Sequence, residues 1–168
     1  MTLSMHQAAS LQFLRQLGTL SDILGKSEAY AAEQGIDPSE LTEARLAPDM
    51  FPLTRQVQVA CDMAKGCMAR LGGQEVPSWA DEEKSFAELR ARVAKTIAFI
   101  ESVPATQVDG SEDRPIAIKL RDRTLEMTGQ PYLLHFALPN FYFHVTTAYA
   151  ILRYKGVPLT KQDFMGAV

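Results

Sequence analysis

The chain has 168 residues, 46% of them hydrophobic and 22% charged, with a net charge of -3. That length buries most of its apolar surface in one ordinary domain without disulfides or metals, and scattered Lys and Arg on an acidic chain give no field to hold a phosphate backbone, which argues against nucleic acid as a partner. No apolar run approaches the roughly 20 residues of a bilayer span, and Met1 to His6 lack a basic stretch followed by an apolar core, so the expectation is a cytoplasmic protein of one domain over residues 1–168.

In chain order, Met5, Ala9, Phe13, Leu17, Leu20 and Leu24 recur at steps of four, four, four, three and four, which predicts one long helix capped by Ser4 and ending near Gly35. Asp37 and Pro38 then have the N-cap and first-position chemistry of a short helical turn. Pro48 and Pro52 bracket a bend. Beyond it Leu53, Val57, Ala60, Ala64, Cys67 and Leu71 predict a second long helix, stopped by Gly72 and Gly73. A third helix is expected after Pro77 and Ser78, with Phe86, Leu89, Val93, Ile97 and Ile100 inward and Asp81, Glu82 and Glu83 solvated in its first turn. Between Pro104 and Gly129 the period changes to two, with Ile116, Ile118 and Leu120 alternating and a second run at 124–128, as in a β-hairpin. The last helix is expected from about Pro131 to Lys155, kinked or broken near Pro139, followed by a tail laid on the bundle by Leu159 and Phe164. Four apolar stripes on long helices with short connections give an all-α four-helix bundle with a short hairpin before the last helix.

Cys61 and Cys67 lie six apart on one predicted helix. Their Cα atoms are then about 9 Å apart, too far for a disulfide, and the spacing matches no CxxC motif. Buried free thiols are the expectation.

Chemistry is to be sought in the last helix, which carries two of the three histidines, His135 and His144, in an apolar, aromatic setting. Asn140 and His144 are four apart and Thr147 follows, so the three share a face. An unpaired buried amide or imidazole costs roughly 1–3 kcal/mol, so this trio must find partners. On an unbroken helix the nine residues from His135 to His144 span about 900°, which puts the two rings on opposite faces; a break at Pro139 could bring them together. His6 belongs to the first turn of the first helix, and Asp49 is placed either to cap the second helix or to supply a carboxylate.

Three blocks carry a resemblance: SMHQA at 4–8, RLAPDMFPLTRQV at 45–57 and HFALPNFYFH at 135–144. They resemble a bacterial family of uncharacterised proteins within the DinB-like superfamily of four-helix metal-binding proteins, over nearly the whole chain. The resemblance implies a divalent ion, zinc or nickel, held by one histidine of the second helix and a His-x-x-x-His pair of the last. His144 matches the second member of that pair. Asn140 stands where the first belongs, and no histidine occurs between Leu53 and Leu71, so two of the three ligands are missing. An amide oxygen is a poor ligand for such an ion.

Two functions of different classes follow. One is a binding module for a small ligand or a partner, with a degenerate metal site, no resident metal and Asp49, Gln56, Asn140 and His144 as binding residues. The other is a divalent-metal hydrolase or transferase in which His135 and His144 hold the ion and Asp49 completes the set. The missing ligands favour the first, and the resemblance with the aromatic-rich last helix implies a homodimer.

Overall fold

The structure, a computed structural model, describes residues 3–166. Helix α1 runs over Met5–Gln34, held at its start by a reciprocal capping box between Ser4 and Gln7 and stopped by Gly35, whose φ of 64° is the left-handed cap that glycine adopts without strain. The short α2 covers Ser39–Thr42, and the Asp37 carboxylate accepts from the Ser39 amide at 2.9 Å. Helix α3, Leu53–Leu71, begins directly after Pro52 and carries no side-chain cap, so Asp49 does not cap it.

Helix α4 covers Phe86–Ser102, later than the sequence suggests. Its N-terminus is set by a capping box between Ser85 and Glu88, and the residues before it form an irregular strap. Asp81, Glu82 and Glu83 are therefore not a solvated first turn. Asp81 and Glu83 bond to Arg92 instead. The expectation failed because local dipole chemistry suits acids at a helix start, whereas their actual partner lies nine or more residues away in the chain.

A short α5, Ala105–Val108, leads to strands β1, Pro115–Lys119, and β2, Thr124–Thr128. They pair antiparallel with Ile116 opposite Met127 and Ile118 opposite Leu125, so the apolar side of the hairpin faces the helices. Gly129 follows because a Cβ there would lie 2.0 Å from the Ser111 carbonyl oxygen. After one turn, α6 at Gly129–Pro131, the chain widens into a π-helical turn over Tyr132–Ala137 before α7, Leu138–Tyr154. The proline explains the widening. Pro139 has no N–H to give a carbonyl four residues back and its ring crowds that carbonyl, so the turn before it opens and Leu138 bonds to Leu133 five residues earlier. Helix α8, Lys161–Met165, closes the described chain.

Helices α1, α3, α4 and α7 form the expected bundle, with α3 between α7 and α4 and α1 against α4. Phe13 of α1 meets Phe141 of α7 edge to face, 5.0 Å between centroids, and the periodic positions of the four helices are buried, except Ile97, which is partly buried against the core. The tail lies on α1, where Gln16 donates to the Phe164 carbonyl at 3.0 Å and the Phe164 ring packs on Tyr149. Cys61 and Cys67 are free and buried, and burial pushes the Cys61 thiol up to about 12 and the Cys67 thiol higher still, so neither is a nucleophile at neutral pH. Among the described residues no helix is long and apolar enough to cross a membrane.

Candidate functional site

Asn140, His144 and Thr147 lie on one face of α7, but they find their partners in different ways. Asn140 donates from Nδ2 to the Phe136 carbonyl at 2.7 Å, and the Thr147 hydroxyl donates to the Phe143 carbonyl at 2.7 Å, each four residues back on its own chain. Only His144 reaches across. Its Nδ1 lies 2.6 Å from Oε1 of Gln56 on α3, and the Gln56 amide nitrogen donates to the Phe51 carbonyl at 3.1 Å. Gln56 is 1% exposed and His144 9%, so the pair joins the two helices inside the bundle with a narrow opening at the imidazole.

Phe143 packs edge-on to the imidazole at 5.2 Å, and Phe51 lies beneath the Arg55 guanidinium, 5.8 Å from its carbon to the ring centroid; both rings are half exposed. Burial, and then the nearby charge of Arg55, hold the His144 pKa below its ordinary value, which favours the neutral ring. Arg55 itself is tied to Gln58 and Asp81.

Of the sequence candidates, the structure joins His144 and Gln56 directly and sets Asn140 one turn away. His135 is exposed in the π turn, and Asp49 is exposed in the bend before α3. Among the described residues no group of three or more His, Cys, Asp or Glu side chains is placed to hold a metal ion. The donor set at His144 is one imidazole and two amides, and both amides are engaged with backbone carbonyls. Such a set does not fit zinc or nickel. His6 sits in the first turn of α1, its amide donating to Asp109 at 2.9 Å and its ring beside the Ser10 hydroxyl, so its role is to tie the helix start to the loop after α5.

A second polar cluster escaped the sequence reading. Arg92 of α4, 3% exposed, bonds to Glu83 at 3.0 Å, Asp62 at 3.0 Å, Asp81 at 2.9 Å and the Ala80 carbonyl at 3.0 Å. Burial works against its charge, but Glu83, Asp62 and Asp81 outweigh it and hold its pKa above the ordinary value. Lys65 and Lys95 lie 4.2 and 4.4 Å from the Trp79 ring centroid, so the only tryptophan is held by cations along a groove of about 390 Å³. An arginine on a buried stripe of α4 was the signal available, since Arg92 directly precedes Val93 and follows Leu89 by three.

Comparison with known proteins identifies the family and the fold. A family model described as "Domain of unknown function (DUF1993)" matches residues 5–165. The chain belongs to that family. The chain is also similar to the crystal structure of a DinB family member from Shewanella denitrificans, with 39% identity over 97% of this chain and 92% of that one and a TM-score of 0.87. No curated protein matches. The DinB-like fold and the membership in an uncharacterised family implied by the three sequence blocks are thereby established.

Proposed function

We propose that this DUF1993 chain is a cytoplasmic, single-domain binding module, a homodimer, whose ligand or partner docks where His144, Gln56 and Asn140 meet between α3 and α7. The carrying observation is the 2.6 Å bond from His144 Nδ1 to Gln56 Oε1. It sets the amide of a second-helix residue against the imidazole, in keeping with an amide standing in for the second-helix histidine that the resemblance implies. The half-exposed Phe51 and Phe143 rings beside the opening suit an apolar portion of a ligand or a partner side chain. Two buried, unbonded cysteines fit a reducing compartment. The alternative, a divalent-metal hydrolase or transferase using His135, His144 and Asp49, requires two exposed side chains on separate segments to converge on a buried imidazole.

Calorimetric titration of the untagged protein with zinc and with nickel tests the metal question. No saturable binding in the micromolar range is expected. Micromolar, one-to-one binding that disappears in His144→Ala overturns the reading. For the dimer, light scattering on the eluting protein is expected to return twice the 18.6 kDa chain mass; a monomer removes that part of the proposal.

A further inference from the structure

The orientation of the Gln56 amide is fixed by what its two ends touch. The Phe51 carbonyl oxygen, 3.1 Å away, can only accept, so the group facing it is the amide nitrogen and the group facing His144 is the amide oxygen. That oxygen also only accepts. Nδ1 of His144 must therefore carry the proton, and in the neutral ring the other nitrogen, Nε2, is left as a lone pair. The same outcome recurs along the face. Asn140 has given an N–H to the Phe136 carbonyl, which leaves Oδ1 to accept, and Thr147 has given its hydroxyl proton to the Phe143 carbonyl. An N–H or O–H of each polar side chain on this face of α7 thus points back into the protein.

From this we infer that Gln56 is a positioning residue that fixes His144 in its Nδ1–H form, and that the site takes a neutral hydroxyl- or N–H-bearing group, received by the Nε2 lone pair. This rests on the binding reading above and specifies its ligand chemistry. A carboxylate or ether oxygen would meet the lone pair at Nε2. A cation would meet the charge of Arg55, offset in part by its Asp81 partner, the same charge that works against protonation of His144. A neutral donor meets neither obstacle, and the aromatic flank of Phe143 and Phe51 can cover its apolar body.

The test is long-range proton–nitrogen correlation NMR on labelled, untagged protein at pH 7.5–8 (roughly a pH unit above the ordinary imidazole value), with His144→Gln identifying the His144 pattern among the three histidines. Wild type is expected to show the Nδ1–H pattern. Gln56→Leu is expected to lose it for a mixed or Nε2–H pattern, while Gln56→Glu, which keeps an accepting oxygen, restores it and raises the His144 pKa. An Nε2–H pattern in wild type, or an unchanged pattern in Gln56→Leu, overturns the positioning role; should Gln56→Leu not fold, the wild-type pattern and the Gln56→Glu titration decide. For the ligand class, phenol and anisole are titrated as matched probes. Phenol is expected to move the Nε2 resonance and bind several-fold more tightly than anisole, as one hydrogen bond allows. Equal effects, a stronger effect of anisole, or no effect of either overturns the donor assignment. Micromolar zinc or nickel binding would instead refute the metal-free reading, and the tautomer result would stand apart from it.

Discussion

Helix α3 carries two polar contacts of opposite construction. Toward α7 it offers Gln56, a neutral amide that meets a neutral imidazole with no full charge in the pair. Toward α4 it offers Asp62 and Lys65, which join Arg92, Asp81 and Glu83 in a network of full charges around Trp79. The first turns its donors into the protein and leaves His144 Nε2 as an acceptor, as the proposed binding site requires. The second pairs opposite charges and pins an irregular strap onto two helices, as a structural clamp does. Perturbed groups alone do not mark a site: the more heavily charged cluster is the one whose charges satisfy each other.

The sharpest way to break this comparison is Arg92→Ala. It leaves Asp62, Asp81 and Glu83 without their shared cation and frees the strap, at a cost of about 2–4 kcal/mol, below the fully buried case because the carboxylates can rehydrate. Urea denaturation is expected to show a lower midpoint, accompanied by a changed Trp79 emission. If the midpoint holds, the cluster is not a clamp. Gln56→Leu is expected to cost less, about 1–2 kcal/mol, because it removes the bond to His144 and the amide donor that the Phe51 carbonyl accepts, and it should leave Trp79 emission unchanged.

How legible each region was in the sequence follows the same division. The stripes from Met5 to Leu24 and from Leu53 to Leu71, the caps at Ser4 and Gly35, and the shared face of Asn140, His144 and Thr147 are local, since helical period alone fixes them. The hairpin was readable from the alternation of Ile116 and Ile118. The break near Pro139 was readable too, but not its form, because a kink, a gap and a π turn are equally compatible with a missing N–H. The Arg92 network was not legible. Its partners at 62, 81 and 83 lie on another helix and on a strap without period, and only the fold brings them together. Gln56 was named as a candidate from its place on the second helix, but its bond to His144 spans 88 positions of the chain and no pattern encodes it.

A pH titration of stability separates the two regions further. The His144 pKa is lowered in the folded protein, so below the ordinary value of 6.5 the unfolded chain binds the proton more readily. Stability is therefore expected to fall as the pH drops through 6.5, and His144→Gln should flatten that part of the profile in urea melts. An unchanged slope in the variant would mean the imidazole is not held neutral. The smallest effect is expected for His135→Ala, within about 0.5 kcal/mol of wild type, because that ring is exposed. A larger loss would indicate that His135 shares a partner with the buried site.

The most direct test of the central claim, that amides have replaced metal ligands around His144, is elemental analysis of untagged protein as purified, beside the same measurement on Gln56→His/Asn140→His. Far less than one zinc or nickel per chain is expected in wild type, with metal gained in the double variant. One ion per chain in wild type, lost in His144→Ala, would contradict it.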